Sequence, residues 1–453
     1  MPPDHQRGRS AGGRAQPAVA GARKLLKIAL VRQRYTPFGG AERFVANAVR
    51  ALRAEGASLT IVTRRWPGGE EFAPLICNPF YLGSLWRDWS FARCVCRSLK
   101  NQNFDLVQSH ERISCCDIYR AGDGVHREWL TQRRRVLGPL SRLGVALNPY
   151  HHQVLSAEKR LFTSPQLKAV ICNSNMVKEE IQRHFGLPEE KLHVIYSGVD
   201  QNVFHPGLRE LHRSAVLAQN NIPADATVFL FVGSGFERKG LATVLRSLAE
   251  LPSSTYLLVV GKDKKLEQFR RLANKLGIET RTRFLGGQEN VQPFYGAADA
   301  FVLPTLYDPF PNAALEAFAC GLPVITSTKS GAAELIREGV NGFVLDALDV
   351  AGFVAAMQQA ATQGVAHYSA PSRDTVAALS PAAMSSRLFA LYRDLLWGAI
   401  ESVGRQLQAP LPNPLPQVGE GTDVATPGQP SRLVPTVLPS PAGGRGAGGE
   451  GAK

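Results

Sequence analysis

The chain has 453 residues, 44% of them hydrophobic, with a formal net charge of +14. That length allows two domains plus tails, and the composition excludes a globally disordered chain. No run approaches the roughly 20 apolar residues of a membrane span, and the basic start lacks the apolar stretch of a secretory signal, so a cytoplasmic location is expected. Residues 1–24 read as a disordered basic arm. Short apolar runs over 25–31, 58–63, 104–110, 167–174 and 192–198 read as buried strands, with a helix over 41–55 between the first two. A second series follows at 227–235, 255–261, 281–287, 300–305 and 322–327, with helices at 241–251 and 266–276. A last helix is expected from Pro381 to about residue 402, and the Pro- and Gly-rich stretch 405–453 reads as a disordered tail.

Strands alternating with helices predict an α/β fold with parallel sheets covered on both faces. Two such series predict two doubly wound, Rossmann-like domains facing across a cleft. Their expected limits are 25–205 and 206–380, with helix 381–404 packing back on the first. Ligands of such sheets lie at the carboxyl ends of the strands, which makes the cleft the expected active site. The seven cysteines, Cys77, Cys94, Cys96, Cys115, Cys116, Cys172 and Cys320, show no ligand spacing and are expected to be reduced thiols.

Three segments carry chemistry. Gly39 and Gly40 lie between the first strand and the first helix, where glycine lets backbone approach a ligand and helix N–H groups face anions. An ordinary strand-to-helix turn has the same pattern, and the spacing is not that of a dinucleotide fingerprint. Gly233 opens the segment GSGFERKG, in which Arg238 and Lys239 precede a helix. Two cations beside free helix N–H groups suit a diphosphate, although a solvated pair would look alike. In YDPFPNAALEA, Asp308 lies in a loop and Glu316 in the helix that follows. Carboxylates accept paired hydrogen bonds from vicinal hydroxyls, and Glu316 among apolar neighbours needs a partner.

These three elements, in this order, resemble glycosyltransferase family 4, and the likeness covers about residues 25–400. It implies a GT-B fold and a retaining, metal-independent hexosyltransferase that needs no cofactor. By the resemblance, Gly39, Gly40 and Gly233 approach donor or acceptor, and Arg238 and Lys239 bind the donor diphosphate. Glu316 accepts from ribose hydroxyls. Asp308 stands where the family carries glutamate, holding sugar hydroxyls. Pro309, Phe310, Asn312, Ala313 and Leu315 complete the donor-binding segment. The stretches VRQRYTPFGGAERF and CDIYRAGDGVHREWL are most similar to the bacterial lipopolysaccharide core glucosyltransferase I group, which places Asp123 and His126 near the transferred sugar. The implied catalytic set is Asp123, His126, Arg238, Lys239 and Asp308.

The implied partners are a nucleotide diphosphate sugar, a UDP-hexose being commonest, and an anionic glycolipid or lipopolysaccharide acceptor. No Asp-x-Asp pair suggests a metal-bound donor. Residues 127–160 alternate arginines with apolar residues, a pattern that suits peripheral contact with the cytoplasmic face of an anionic inner membrane. A helix pair packed on the first domain fits the same pattern. No basic motif interleaved with aromatics points to nucleic acid. An epimerase or hydrolase of the same fold and a non-catalytic sugar-nucleotide binder are the alternatives.

Overall fold

The computed structural model describes residues 26–34, 58–66 and 74–407, with side chains of the last helix described to residue 396. The glycine pair Gly39–Gly40, the helix expected over 41–55, the arm 1–24 and the tail from 408 onward lie outside the described residues.

The first sheet holds β1 (Lys27–Val31), β2 (Ser58–Thr63), β3 (Leu75–Ile76), β4 (Leu106–Ser109), β5 (Ile118–Arg120), β6 (Ala169–Cys172) and β7 (Leu192–Val194). Their order is β3-β2-β1-β4-β5-β6-β7, and every pairing is parallel. The helices of this half are α1 (Gly83–Lys100), α2 (His126–Arg134), α3 (Pro139–Leu147), α4 (Pro149–Phe162) and α5 (Asn175–Phe185). The apolar runs became strands because a sheet covered on both faces buries side chains pointing either way. Ile28, Ala29, Leu30 and Val31 are all fully buried.

Local signals fix the helix ends. The Ser174 hydroxyl accepts from the Val177 N–H at 3.2 Å at the start of α5, and Gly186 closes it at φ +64°. Asn148 caps α4 in the same way, with Pro149 at its first position. The second sheet holds β8 (Thr227–Val232), β9 (Thr255–Val260), β10 (Thr282–Gly286), β11 (Ala300–Leu303), β12 (Val324–Ser327) and β13 (Gly342–Leu345). Their order is β10-β9-β8-β11-β12-β13, again all parallel. Around it lie α6 (Leu208–Gln219), α7 (Leu241–Ala249), α8 (Leu266–Lys275), α9 (Gln292–Ala297), α10 (Asn312–Ala319) and α11 (Val350–Val376), which is broken at Gly364.

The last helix, α12 (Pro381–Leu407), returns to the first sheet. Its Met384, Leu388, Leu391 and Tyr392 pack with Ile28, Leu106, Ile118 and Ile171. The two passages of the chain between the halves run side by side, with the Val199 N–H donating to the Leu379 carbonyl at 2.8 Å. A Cβ on Gly198 would come within 2.5 Å of the backbone of Ser380 and Pro381, so that crossing admits only glycine without a shift.

One expectation is corrected. Cys96 and Cys115 are joined in a disulfide, with Cα atoms 5.6 Å apart, while the other five cysteines are free. Cys96 lies on α1 and Cys115 in the loop before β5. Only the packing of α1 beside that loop brings them together, and their sequence spacing gives no hint of it. Closing a loop of this length stabilises the folded chain by about 3 kcal/mol in the chain-entropy treatment.

Candidate functional site

One cluster of the predicted residues is built at the carboxyl end of the second sheet. After β8 the chain turns through Gly233 to Gly240 before α7. Gly240 has φ +77°, and a Cβ there would fall 1.8 Å from the Pro304 carbonyl oxygen. Glycine therefore allows this loop to lie against the segment that leaves β11. The Arg238 carbonyl accepts from the Leu306 N–H at 2.8 Å, and the Arg238 guanidinium donates to the Tyr307 carbonyl at 3.0 Å.

This contact brings the predicted cations to the predicted carboxylate. Lys239 forms an ion pair with Asp308, and the Arg238 guanidinium lies 3.6 Å from the same oxygen. Lys239 and Asp308 are both buried. Burial pushes the Asp308 carboxyl up, but Lys239 and Arg238 outweigh it and hold the group below its ordinary value. Asp308 is framed by backbone as well, its N–H donating to the Lys329 carbonyl and its carbonyl accepting from the Gly331 N–H, each at 2.9 Å.

Downstream of Asp308, Phe310 stacks on Tyr196 with ring centroids 5.2 Å apart, and Asn312 opens α10. Leu315 turns its side chain into the core, so only its backbone is available to a ligand. Glu316 lies on the buried face of α10. Its carboxylate is 2.8 Å from the Tyr295 hydroxyl, which is also 3.1 Å from the Ala313 carbonyl. Tyr295 is a partner for the acid that its apolar neighbours required.

The other cluster, around Asp123 and His126, lies at the carboxyl ends of β4 and β5. Asp123 is exposed, 3.8 Å from the Arg112 guanidinium. His126 starts α2 with its N–H donating to Glu158 at 2.9 Å, and Arg112 donates to the same oxygen at 3.0 Å. The His126 and His151 rings meet Nε2 to Nδ1 at 3.0 Å. Burial, Arg112, His151 and Arg133 together lower the His126 pKa to about 3, so its imidazole is neutral at working pH. A neutral imidazole here can donate or accept a hydrogen bond but carries no charge to a leaving phosphate. Beside this cluster, Gln33, Asp88, Trp89, Glu111, Arg112 and Tyr150 line a pocket.

The two halves touch at the predicted residues. Gly124, between Asp123 and His126, packs against Tyr307 and Pro309, and a Cβ on it would lie 2.2 Å from the Tyr307 hydroxyl oxygen. Sequence reasoning missed Arg112, His151, Glu158, Glu180, Tyr307 and Lys329. Their roles come from contacts between distant segments. Only Tyr307 carried a local signal, its place next to Asp308.

The sequence relationships agree with this geometry. Residues 38–203 match the model described as Glycosyltransferase Family 4, and residues 213–373 match the one described as Glycosyl transferases group 1. The chain belongs to glycosyltransferase family 4, and its two parallel-sheet halves form the GT-B fold. It is 37% identical over 324 residues to the lipopolysaccharide core biosynthesis glycosyltransferase LpsE of Rhizobium meliloti (strain 1021), covering 71% of this chain and 85% of that protein. It is 28% identical over 328 residues to the lipopolysaccharide glucosyltransferase WaaG of Escherichia coli (strain K12), covering 70% of this chain and 84% of that one. The crystal structure of WaaG, described as a glycosyltransferase involved in lipopolysaccharide biosynthesis, superposes with a TM-score of 0.65 at 26% identity. That match covers 83% of this chain and 99% of the other.

Proposed function

We propose that this glycosyltransferase moves a hexose, with retention at the anomeric carbon, from a UDP-sugar to a lipopolysaccharide core or other lipid-linked glycan. The observation that carries this reading is the meeting of the Asp123–His126 loop with the loop that holds Asp308 against Lys239 and Arg238. A donor seated there has cations at one end and hydroxyl acceptors at the other.

In this reading, Arg238 and Lys239 offset the charge that develops on the departing diphosphate. Asp308 and Glu316 accept from sugar and ribose hydroxyls. The leaving diphosphate takes the acceptor's proton from the same face, so the protein supplies positioning rather than a strong base. Asp123 and neutral His126 orient the transferred sugar from the acceptor side. The mixed pocket of Trp89, Tyr150, Asp88 and Arg112 suits the acceptor glycan, since aromatic faces and charged groups both recognise sugars. The lipopolysaccharide roles of LpsE and WaaG support a lipopolysaccharide acceptor. No helix among the described residues is long and apolar enough to cross a membrane. We place the enzyme at the cytoplasmic face of the inner membrane, held peripherally by α2 to α4.

The test is a turnover assay with purified chain, a panel of UDP-hexoses and truncated lipopolysaccharide cores, with Glu316→Ala as the control. Product that forms only with acceptor and keeps the donor's anomeric configuration supports the reading. Donor hydrolysis without acceptor transfer, or inversion, overturns it.

A further inference from the structure

Tyr307 is buried and joins three elements that the proposed reaction needs held together. Its hydroxyl accepts from the Val125 N–H at 2.8 Å and donates to Glu180 at 2.7 Å. Its carbonyl accepts from Arg238 at 3.0 Å. Val125 lies between Asp123 and His126, Glu180 is on α5, and Asp308 follows Tyr307 directly. One side chain of the second half thus grips the loop carrying the acceptor-side residues, while its backbone holds a donor-side cation.

The surroundings leave that grip little slack. The other Glu180 oxygen accepts from Lys329 at 2.9 Å, and Lys329 also reaches Glu128 at 3.2 Å. The Lys329 carbonyl in turn accepts from the Asp308 N–H. Gly124 sits at φ +67°, where any side chain would collide with Tyr307 and Pro309. Gly331 allows an equally close approach on the far side, since its Cβ would lie 1.8 Å from the Pro309 carbonyl oxygen.

The two halves are also tied away from this point. Glu334 accepts from the Asn175 N–H at 2.9 Å, and Arg135 pairs with Asp346 at 2.7 Å. Loss of the Tyr307 hydroxyl therefore does not release one half from the other. It frees the 121–126 loop and leaves the Val125 N–H without its acceptor.

We propose that Tyr307 is a positioning residue that sets the distance between the donor-binding loop at Asp308 and the acceptor-side loop at Asp123–His126. The inference rests on the reading above that these loops serve donor and acceptor respectively. A misplacement of about 1 Å between reacting groups can cost on the order of a hundredfold in rate.

Tyr307→Phe keeps the ring and removes only the hydroxyl. In the full chain, kcat is expected to fall by roughly tenfold or more, while the UDP-sugar dissociation constant stays within about threefold of the parent. Gly124→Ala presses the same contact from the other side and should give the same split. Glu180→Gln keeps an acceptor for the hydroxyl but turns an amide NH2 toward Lys329, so its kcat should fall less than that of Tyr307→Phe. Hydrogen exchange of peptides spanning 121–129, measured without ligand, is expected to quicken in Tyr307→Phe by on the order of tenfold. A kcat within about twofold of the parent overturns the proposal. So does unchanged exchange, or a parallel loss of donor affinity and melting temperature, which would mark a purely structural role. Failure of the parent chain to turn over any UDP-sugar counts against the donor and acceptor reading, and the exchange result still decides whether Tyr307 holds the loop.

Discussion

Lys239 and Asp308 pair inside the protein, with only 9% and 7% of their surfaces exposed. Breaking a buried pair from one side leaves an uncompensated charge and costs about 3–5 kcal/mol. Arg238, 3.6 Å away, softens that cost for Asp308. Lys239→Met is therefore expected to lower the melting temperature by roughly 5–10 °C and to cut kcat/KM about a hundredfold. The Asp308 carboxyl is held below its ordinary value, so its contribution to stability is complete above the unfolded pKa, near 4, and is lost as pH falls through the folded value. The gap in melting temperature between parent and variant should be widest near neutral pH and should narrow as acid protonates Asp308, first in the variant, where burial is no longer offset by Lys239.

His126 titrates in the opposite context, as a base kept neutral. Its folded pKa is about 3, against about 6.5 unfolded. The stability it contributes is present above about 6.5 and is lost as pH falls toward the folded value. Imidazole NMR should show no protonation of His126 between about pH 8 and 4.5. The parent should lose stability relative to His126→Gln over the acidic half of that range. A midpoint near 6 would refute the burial argument.

Glu316 and Tyr295 give a separable donor prediction. The Glu316→Gln amide can still accept from the Tyr295 hydroxyl, so the fold should be kept and the melting temperature should move little. A ribose hydroxyl would lose a charged acceptor worth about 1.5–3 kcal/mol. UDP-sugar affinity measured by calorimetry should fall by roughly ten- to a hundredfold, and unchanged affinity would remove Glu316 from the donor site.

The membrane reading becomes more specific in the structure. On α3, Leu140, Leu143 and Leu147 are 87%, 57% and 70% exposed. Of the four arginines on or just before α3, Arg133 reaches toward His151 and Arg135 pairs with Asp346, so Arg134 and Arg142 are the cations to test. At about 1 kcal/mol per arginine, Arg134→Gln with Arg142→Gln should weaken cosedimentation with anionic vesicles by roughly thirtyfold. Leu140→Ser, Leu143→Ser and Leu147→Ser together should weaken it further, and unchanged partitioning would sink the reading.

Much of the framework was legible because fully buried parallel strands must be apolar throughout. KIALV, SLTIVT and TVFLFV announce themselves. The strands not expected were β3, which has two residues, β5, which is Ile118, Tyr119 and a buried Arg120, and β13, whose four residues begin with a glycine. Arg238, Lys239 and Asp308 stood out because each lies in a loop between a strand and a helix, and Glu316 because it is an acid among apolar neighbours. Tyr307, Glu180 and Lys329 were not, since Tyr307 and Glu180 stand 127 residues apart in the chain and no periodicity encodes such a contact. The disulfide was missed for the same reason.

The return of α12 to the first sheet ties the end of the chain to its beginning. The Tyr392 hydroxyl donates to Gln108 at 2.5 Å across 284 residues, and Leu388 and Leu391 close the same apolar layer as Ile28. A ribosome that has released the first sheet has not yet supplied its cover. The early half must wait, with one face open to solvent, until the late helix emerges. Fragments ending before residue 381 are therefore expected to aggregate where the full chain stays in solution, because they lack the helix that seals the first domain.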